Sequence, residues 1–244
     1  MAAYIVKESS VFIDGYDLSC AFKELGITKS AGEIDTTAVC TTGDRTFVAG
    51  LKEGTATLNG IYDYDATDED ALENVLAPAF DAQEELILTT SFNALIVGGE
   101  AWMLRGGQTE NSVENQLEQL IMTNATIRAN GNAFRGVCLF KAAVDDTTTA
   151  GSSVDNAAAT ANGGMMHFHV HTPDVDITDA EVLLEHSTDN SSWVTLIAAT
   201  PLGAGFGAVA VEVAAGTTVR RYLRATVTTE DGSATAVVAF HRYV

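Results

Sequence analysis

Residues 180–242 read as strand, turn, strand with almost no interruption, and this run most narrows what the chain can fold into. Segments 181–187 and 193–198 are rich in Val, Leu, Ile and Trp, and between them lie Thr188, Asp189, Asn190, Ser191 and Ser192, whose short polar side chains favour turns. Segments 222–229 and 234–242 flank Asp231-Gly232, a pair suited to the positive backbone angles of a tight hairpin. A chain so committed to antiparallel sheet is expected to build or hold something rather than transform a substrate.

At 244 residues and 46% hydrophobic content, the chain can bury one large β domain or two ordinary ones. No stretch approaches the ~20 apolar residues that span a bilayer, so no membrane role is expected. The N-terminus lacks the basic start and apolar core of a signal peptide, which predicts assembly in a cytoplasm without export. Cys20, Cys40 and Cys138 are widely spaced and contain no CxxC pair, so reduced, structural thiols are expected, with a Cys20–Cys40 bridge as the alternative.

Against 13 basic residues stand 33 acidic ones, a net charge of −20. Gripping nucleic acid requires clustered Lys and Arg to neutralise phosphates, and this chain carries the opposite field. The acid either keeps a surface solvated or repels phosphate.

Composition divides the chain once. Residues 146–163 are Ala, Asp, Thr, Ser, Asn and Gly with almost no large apolar side chain, which predicts a linker or long loop between a domain at 1–145 and a β-sandwich domain at 164–244. In the first domain, residues 53–63 alternate. Ala56, Leu58 and Tyr62 point one way and Glu53, Thr55, Thr57, Asn59 and Asp63 the other. Further strands are expected at 84–92 and 94–104, and strands 117–129 and 133–142 flank Asn130-Gly131, a strong hairpin signal. One helix is expected at about 68–77, capped by Thr67 or Asp68, loaded with Asp68, Glu69 and Asp70, and stopped by Pro78. Residues 36–50 show no period and form a polar loop with Val39 and Phe47 near its ends.

Chemical motifs are sparse. In His167-Phe168-His169-Val170-His171 alternate imidazoles project in parallel, as in a zinc chelate, with Asp174 just beyond. The expectation is nevertheless Phe168 and Val170 toward the core and the histidines toward solvent or a subunit contact; a metal-dependent hydrolase is the alternative. Asp174, Asp176, Asp179 and Glu181 lack the calcium-loop pattern and are expected to be a solvated turn. Gly203-Ala204-Gly205-Phe206-Gly207 leads into a Val/Ala-rich strand instead of a helix, so it lacks the dipole of a phosphate loop. No GxSxG, Walker A or HExxH occurs, and no catalytic, cofactor or metal residue is assigned. Trp193 and Tyr222 serve either as core aromatics or as sugar-stacking platforms of a glycan-binding module.

Three segments, Phe12-Ile13-Asp14-Gly15-Tyr16-Asp17-Leu18, Gly32-Glu33-Ile34-Asp35-Thr36-Thr37 and the run from Thr46-Phe47-Val48-Ala49-Gly50-Leu51 to Ile61-Tyr62-Asp63, resemble in their order the major tail (tail tube) proteins of long-tailed, siphovirus-like bacteriophages. Val182-Leu183-Leu184-Glu185-His186-Ser187, Trp193 and Arg221-Tyr222-Leu223-Arg224-Ala225 resemble a β-sandwich region found in many of them. The resemblance implies a tail-tube β-sandwich or barrel domain that closes into rings, commonly hexamers, stacked into a tube through which the genome passes. It implies an inter-ring loop carrying Val39, Asp44, Arg45 and Phe47, and a lumen lined by Glu53, Thr55, Thr57, Asn59 and Asp63. The implied partners are copies of the chain, tape measure, terminator and tip proteins, and DNA in transit without specific binding.

Overall fold

β-branched and aromatic residues in alternating runs give sixteen strands around one helix among the described residues, an all-β fold. The computed structural model describes residues 9–36, 45–65, 71–115, 119–171, 179–202, 207–230 and 232–243. In chain order the elements are β1 (Ser10–Ile13), β2 (Tyr16–Asp17), β3 (Phe22–Asp35), β4 (Phe47–Ile61), α1 (Leu72–Ala82), β5 (Glu85–Ser91), β6 (Glu100–Glu114), β7 (Met122–Ala129) and β8 (Phe134–Asp145). There follow β9 (Thr148–Ala150), β10 (Val154–Asp155), β11 (Gly164–His171), β12 (Asp179–Ser187), β13 (Val194–Pro201), β14 (Gly207–Val213), β15 (Tyr222–Glu230) and β16 (Ser233–Arg242).

Eleven strands form one sheet whose main path is β14-β11-β16-β8-β6-β5-β1-β2, with β3, β4 and β7 branching from β6; the other five, β9, β10, β12, β13 and β15, form a second. The pairing runs through residue 145, because β16 lies along β8 from Ser233–Asp145 to Phe240–Val137. The sandwich core therefore draws Leu139, Phe140 and Val144 of β8 into one cluster with Phe168, Val182, Leu223 and Phe240. A second core gathers Ile13, Ala56, Leu58, Ala125 and Ile127 under Leu72, Val75 and Leu76 of α1. Between the two, Phe12, Met103, Cys138, Met165 and Val237 pack inside the curl of the large sheet.

Local signals placed three features differently from the pairing. Asn130-Gly131 does not close a hairpin: β7 and β8 both pair with β6, β7 along Gly106–Glu114 and β8 along Glu100–Met103. The dipeptide is a corner at which the chain leaves β4 for β16. Likewise β15 pairs with β12 while β16 pairs with β11 and β8, so Gly232 lies where the chain crosses between sheets; Asp231 is outside the described residues. The β12–β13 pair is a hairpin as expected, its turn held by the Asp189 carboxylate, which accepts from the Ser191 and Ser192 amides at 2.9 and 2.8 Å.

The helix begins at Leu72, after an extended Ala71 that makes no side-chain cap, and runs through Pro78 to Ala82. Thr67 to Asp70, the expected cap and acidic turn, lie outside the described residues. Proline removes one helix bond, but burial of Leu72, Val75, Leu76 and Ala79 holds the face, and the stop comes at Gln83 with a left-handed φ of 54°.

Candidate channel face and assembly arm

β3, β4, β7 and the second half of β6 form a four-stranded sheet covered on one side only. Leu58 opposite Ala125 and Ala56 opposite Ile127 point into the core against α1. The two-residue period then forces the alternate residues outward. Glu53, Thr55, Thr57 and Asn59 accordingly share the open face with Asn124, Thr126 and Arg128 of β7 and with Glu110, Ser112 and Glu114 of β6. Asp63 is exposed, but it lies beyond the end of β4 and is not part of this face.

The face is a lattice of short polar contacts. The Asn59 amide donates to the Asn124 carbonyl oxygen, and the Thr126 hydroxyl donates to Glu110 at 3.2 Å. Arg128 reaches Glu53 at 2.5 Å and Ser30 donates to the same carboxylate at 3.0 Å. The Arg128 guanidinium, with Ser30 second, holds the Glu53 carboxyl below the usual carboxylate range. Glu53 is therefore already paired, and among the described residues the uncompensated negative field on this face comes from Glu24, which stands opposite Asn59, from Glu110, which meets the neutral Thr126 hydroxyl, and from Glu114. Sequence reasoning found the β4 residues by their alternation but missed Arg128, Asn124 and Thr126. The same period in residues 123–128, with Thr123, Ala125 and Ile127 inward, would have found them.

Both edges of this sheet are open among the described residues. β3 pairs only with β4, and β5 stops at Gly107 of β6, so residues 108–114 bond to β7 on one side and to no strand on the other. Because every pairing in the order β3-β4-β7-β6 is antiparallel, the two open edges run in opposite directions.

Past Thr55, where β7 ends, β3 and β4 continue with only each other for support. Residues 47–50, expected within a loop, are strand: Phe47, Val48 and Ala49 pair with Asp35, Ile34 and Glu33. The register slips by one between Ala31–Lys52 and Glu33–Ala49, so Gly50 and Leu51 together face Gly32. This ribbon holds its apolar residues in the open: Ile34 is 55%, Phe47 51%, Val48 54% and Leu51 92% exposed. Arg45 is exposed at its described end, while Val39 and Asp44 lie outside the described residues.

Two of the three histidines of the motif do not face solvent, and His171 is half-buried. His167 and His169 are fully buried on the inner side of β11, because that side of the strand is covered by β1, β2 and β5. The Gly15 amide donates to His169 Nδ1 at 3.3 Å and the Asp17 amide donates to His171 Nδ1 at 3.4 Å. With Nδ1 accepting, His169 Nε2 donates to the Thr89 hydroxyl at 2.8 Å, which in turn donates to His167 Nδ1 at 3.1 Å. The alternation of the motif thus matches that of the Gly15 and Asp17 amides, and imidazoles bond to main chain where the sheet curls toward closure. Gly15, at φ +95°, permits this approach, since a Cβ there would stand 2.4 Å from the Gly207 amide nitrogen. Burial pushes the His167 imidazole down to about 3 and takes His169 well below its ordinary range, while burial pushes the Asp14 carboxyl of the same turn up to about 6.

Trp193 and Tyr222 lie outside the sandwich core. Arg224 stacks 4.3 Å above the Trp193 ring and Arg221 4.9 Å above Tyr222, each arginine also bonded to an acid, Glu185 and Asp155 respectively. One face of each ring is therefore occupied by a guanidinium. Asp179 opens β12 opposite Glu230, whereas Asp174 and Asp176 and residues 203–206 lie outside the described residues. Cys20 and Cys138 are free thiols, and Cys40 lies outside the described residues.

No protein-family model and no curated protein matches the chain. Among solved structures it is similar to a chain of the virion of a native gene transfer agent particle, with TM-score 0.43 and 13% identity over 54% of this chain and 97% of that one. It is also similar to the SPP1 tail tube, with TM-score 0.42 and 10% identity over 55% and 78%. The SPP1 Dit protein, a hub of an adsorption apparatus in phages infecting Gram-positive hosts, gives TM-score 0.38 and 11% identity over 97% and 99%. Structures of infectious bursal disease virus particles are similar to the chain as well, with TM-scores of 0.27–0.31, and at 8–13% identity these likenesses do not carry function.

Proposed function

We propose that this chain is a structural virion protein that polymerises as stacked rings into a phage tail tube. The observation that carries the reading is the four-stranded sheet with one wet face and two open, oppositely directed edges. An unpaired strand edge is a template for another strand, and closure into a ring removes it. The β3 edge of one copy meets the residue 108–114 edge of the next in antiparallel sense, which repeats around a ring with the wet face inside. The sandwich, whose core is separate from that sheet, then stands on the exterior.

The inner face suits a conduit for DNA. Hydroxyls, amides and carboxylates offer phosphates little to bind, and Arg128, the cation on this face, is already engaged by Glu53. Screening confines such fields to about 8 Å at physiological salt, so the residues at the bore matter most. The β3–β4 ribbon reaches the adjoining ring, and tape measure, terminator and tip proteins are the further partners this role requires in the virion. The role is one of assembly, not catalysis.

Negative-stain microscopy of the purified chain tests this directly. Rings or hollow filaments are expected, whereas monomers at every concentration that bind a glycan array would favour the adhesion module. In assembled particles, Thr57→Lys at the centre of the face is expected to leave tubes intact while slowing genome release, and release at the native rate would remove the channel assignment.

A further inference from the structure

Asn-Gly occurs three times in the chain, at 59–60, 130–131 and 162–163. In such a pair the glycine nitrogen can reach the carbonyl carbon of the asparagine side chain and close a five-membered ring, because glycine puts no side chain in the way and turns freely about its backbone. The fold decides which pair is free to do so.

Two are locked. Gly60 is buried between β3 and β7, opposite Phe22 and Thr123, and the Asn59 side-chain amide donates to Asn124. Gly163 is buried as well, and its amide donates to the Thr217 carbonyl at 3.0 Å. A Cβ at Gly60 would stand 2.7 Å from Leu72 and one at Gly163 2.2 Å from the Val213 carbonyl oxygen, so neither backbone has room to turn. Asn130 and Gly131 differ on every count. Both are exposed, Gly131 has a φ of +117° with nothing within 4 Å of a Cβ there, and among the described residues its amide donates to no acceptor. The Asn130 main-chain amide donates to the Arg105 carbonyl at 2.8 Å and its side-chain amide to Glu85 at 2.6 Å, contacts that leave the Gly131 nitrogen and Asn130 Cγ unencumbered.

We propose that Asn130 is a site of spontaneous covalent modification with water as the co-reactant. The Gly131 nitrogen bonds to Asn130 Cγ, the bond from Cγ to Nδ2 breaks, and ammonia leaves with the Gly131 proton. Water then opens the succinimide at either carbonyl and gives aspartate or isoaspartate at 130. Either product puts a carboxylate where an amide donated to Glu85, so two carboxylates face the Arg105 guanidinium that reaches Glu85 at 3.3 Å. Isoaspartate also adds a methylene to the main chain at a corner whose Gly131 carbonyl accepts from the Gly54 amide at 3.1 Å. Gly54 has no slack, since a Cβ there would stand 2.2 Å from the Ala133 nitrogen. β4 parts from β7 at Thr55, so this corner supports β4 where the ribbon begins, and the modification loosens that base. The consequence for assembly rests on the tail-tube reading; the chemistry does not.

Peptide mapping of the native chain aged at mildly alkaline pH in heavy-oxygen water tests the site. Label is expected at 130, in separable aspartate and isoaspartate forms, at least about tenfold faster than at Asn59 or Asn162, a barrier difference of about 1.4 kcal/mol. In urea the three rates are expected to converge. Equal rates in the folded chain, a faster reaction at 59 or 162, or no label at 130 overturns the proposal. Asn130→Gln keeps a donor for Glu85 and would have to close a larger ring, so the label is expected to vanish from that peptide; label that persists there belongs to Asn132 and overturns it too. Aged native chain is then expected to form fewer filaments than fresh chain, while aged Asn130→Gln forms as many as fresh. Equal yields from aged and fresh native chain would overturn the loosening of the ribbon, and a fresh chain that never assembles would remove the tube reading and leave the labelling result standing.

Discussion

Asp14 and the two buried histidines, brought together by the fold at the β1–β2 turn, set opposite pH dependences. His167 is held at about 3 against an ordinary 6.5, and His169 is depressed further. Below pH 6.5 the unfolded chain takes up protons that the folded chain refuses, so stability present above that pH is lost as pH falls toward the folded values. Asp14 is raised from 3.8 to about 6, so its folded form holds a proton that the unfolded form has released; that contribution is complete below 3.8 and is lost as pH rises through 6. Between these limits the two histidine uptakes outweigh the one from Asp14, and burial lowers His186 and His241 in the same sense as His167, so unfolding free energy is expected to fall as pH drops from 6 to 4. Urea titrations at several pH values check the sign and slope. Asp14→Asn keeps an acceptor for the Ile87 amide and tolerates the φ of 47°, so it is expected to stabilise by about 1–3 kcal/mol at pH 8 and not at pH 4. Equal effects at both pH values would show that ionisation is not the cost. The spacing of HFHVH was legible in the sequence, but its burial was not, because the β1–β2 turn that covers it is more than 150 residues away.

The elements show where local reading stops. Strand positions follow from alternation, which is a property of ten residues at a time, and most strands stand within a few positions of expectation. Pairing is a property of the whole chain: Asn-Gly and Asp-Gly encode a reversal or a corner equally well, and what decides is whether the next strand finds a better neighbour, here β6 and β16 for β8. The β3–β4 ribbon escaped notice because residues 46–50 lack any buried partner to impose a period. Its surface position gives a sharp expectation. Leu51, 92% exposed, contributes little to the isolated fold, so Leu51→Ser is expected to change monomer stability by less than about 0.5 kcal/mol while suppressing filament formation. Chemical denaturation and microscopy on one preparation separate the two effects, and loss of both together would show that the ribbon serves folding. Gly15→Ala behaves in the opposite way: with φ +95° and Gly207 at 2.4 Å, it is expected to destabilise the monomer by more than about 1 kcal/mol.

For the whole molecule, the difficulty is bringing together copies that each carry a net charge of −20. At low ionic strength the repulsion between approaching bodies extends roughly 30 Å at 0.01 M salt, farther than any contact between open edges or apolar patches can reach. Strand pairing and burial act only at touching distance and are nearly independent of salt, so the long-range term sets the rate and the contacts set the end state. Raising salt to about 0.15 M shortens the repulsion to about 8 Å while leaving the edge hydrogen bonds and the Ile34, Phe47, Val48 and Leu51 contact intact. Assembly is therefore expected to accelerate and its yield to rise between these conditions, with divalent cations doing the same at lower concentration. Light scattering across a salt series gives the rate and sedimentation the yield. A yield that declines steadily with salt would mean that attraction between opposite charges on neighbouring copies outweighs the repulsion of the two bodies, and that assembly is held by charge instead of by β edges.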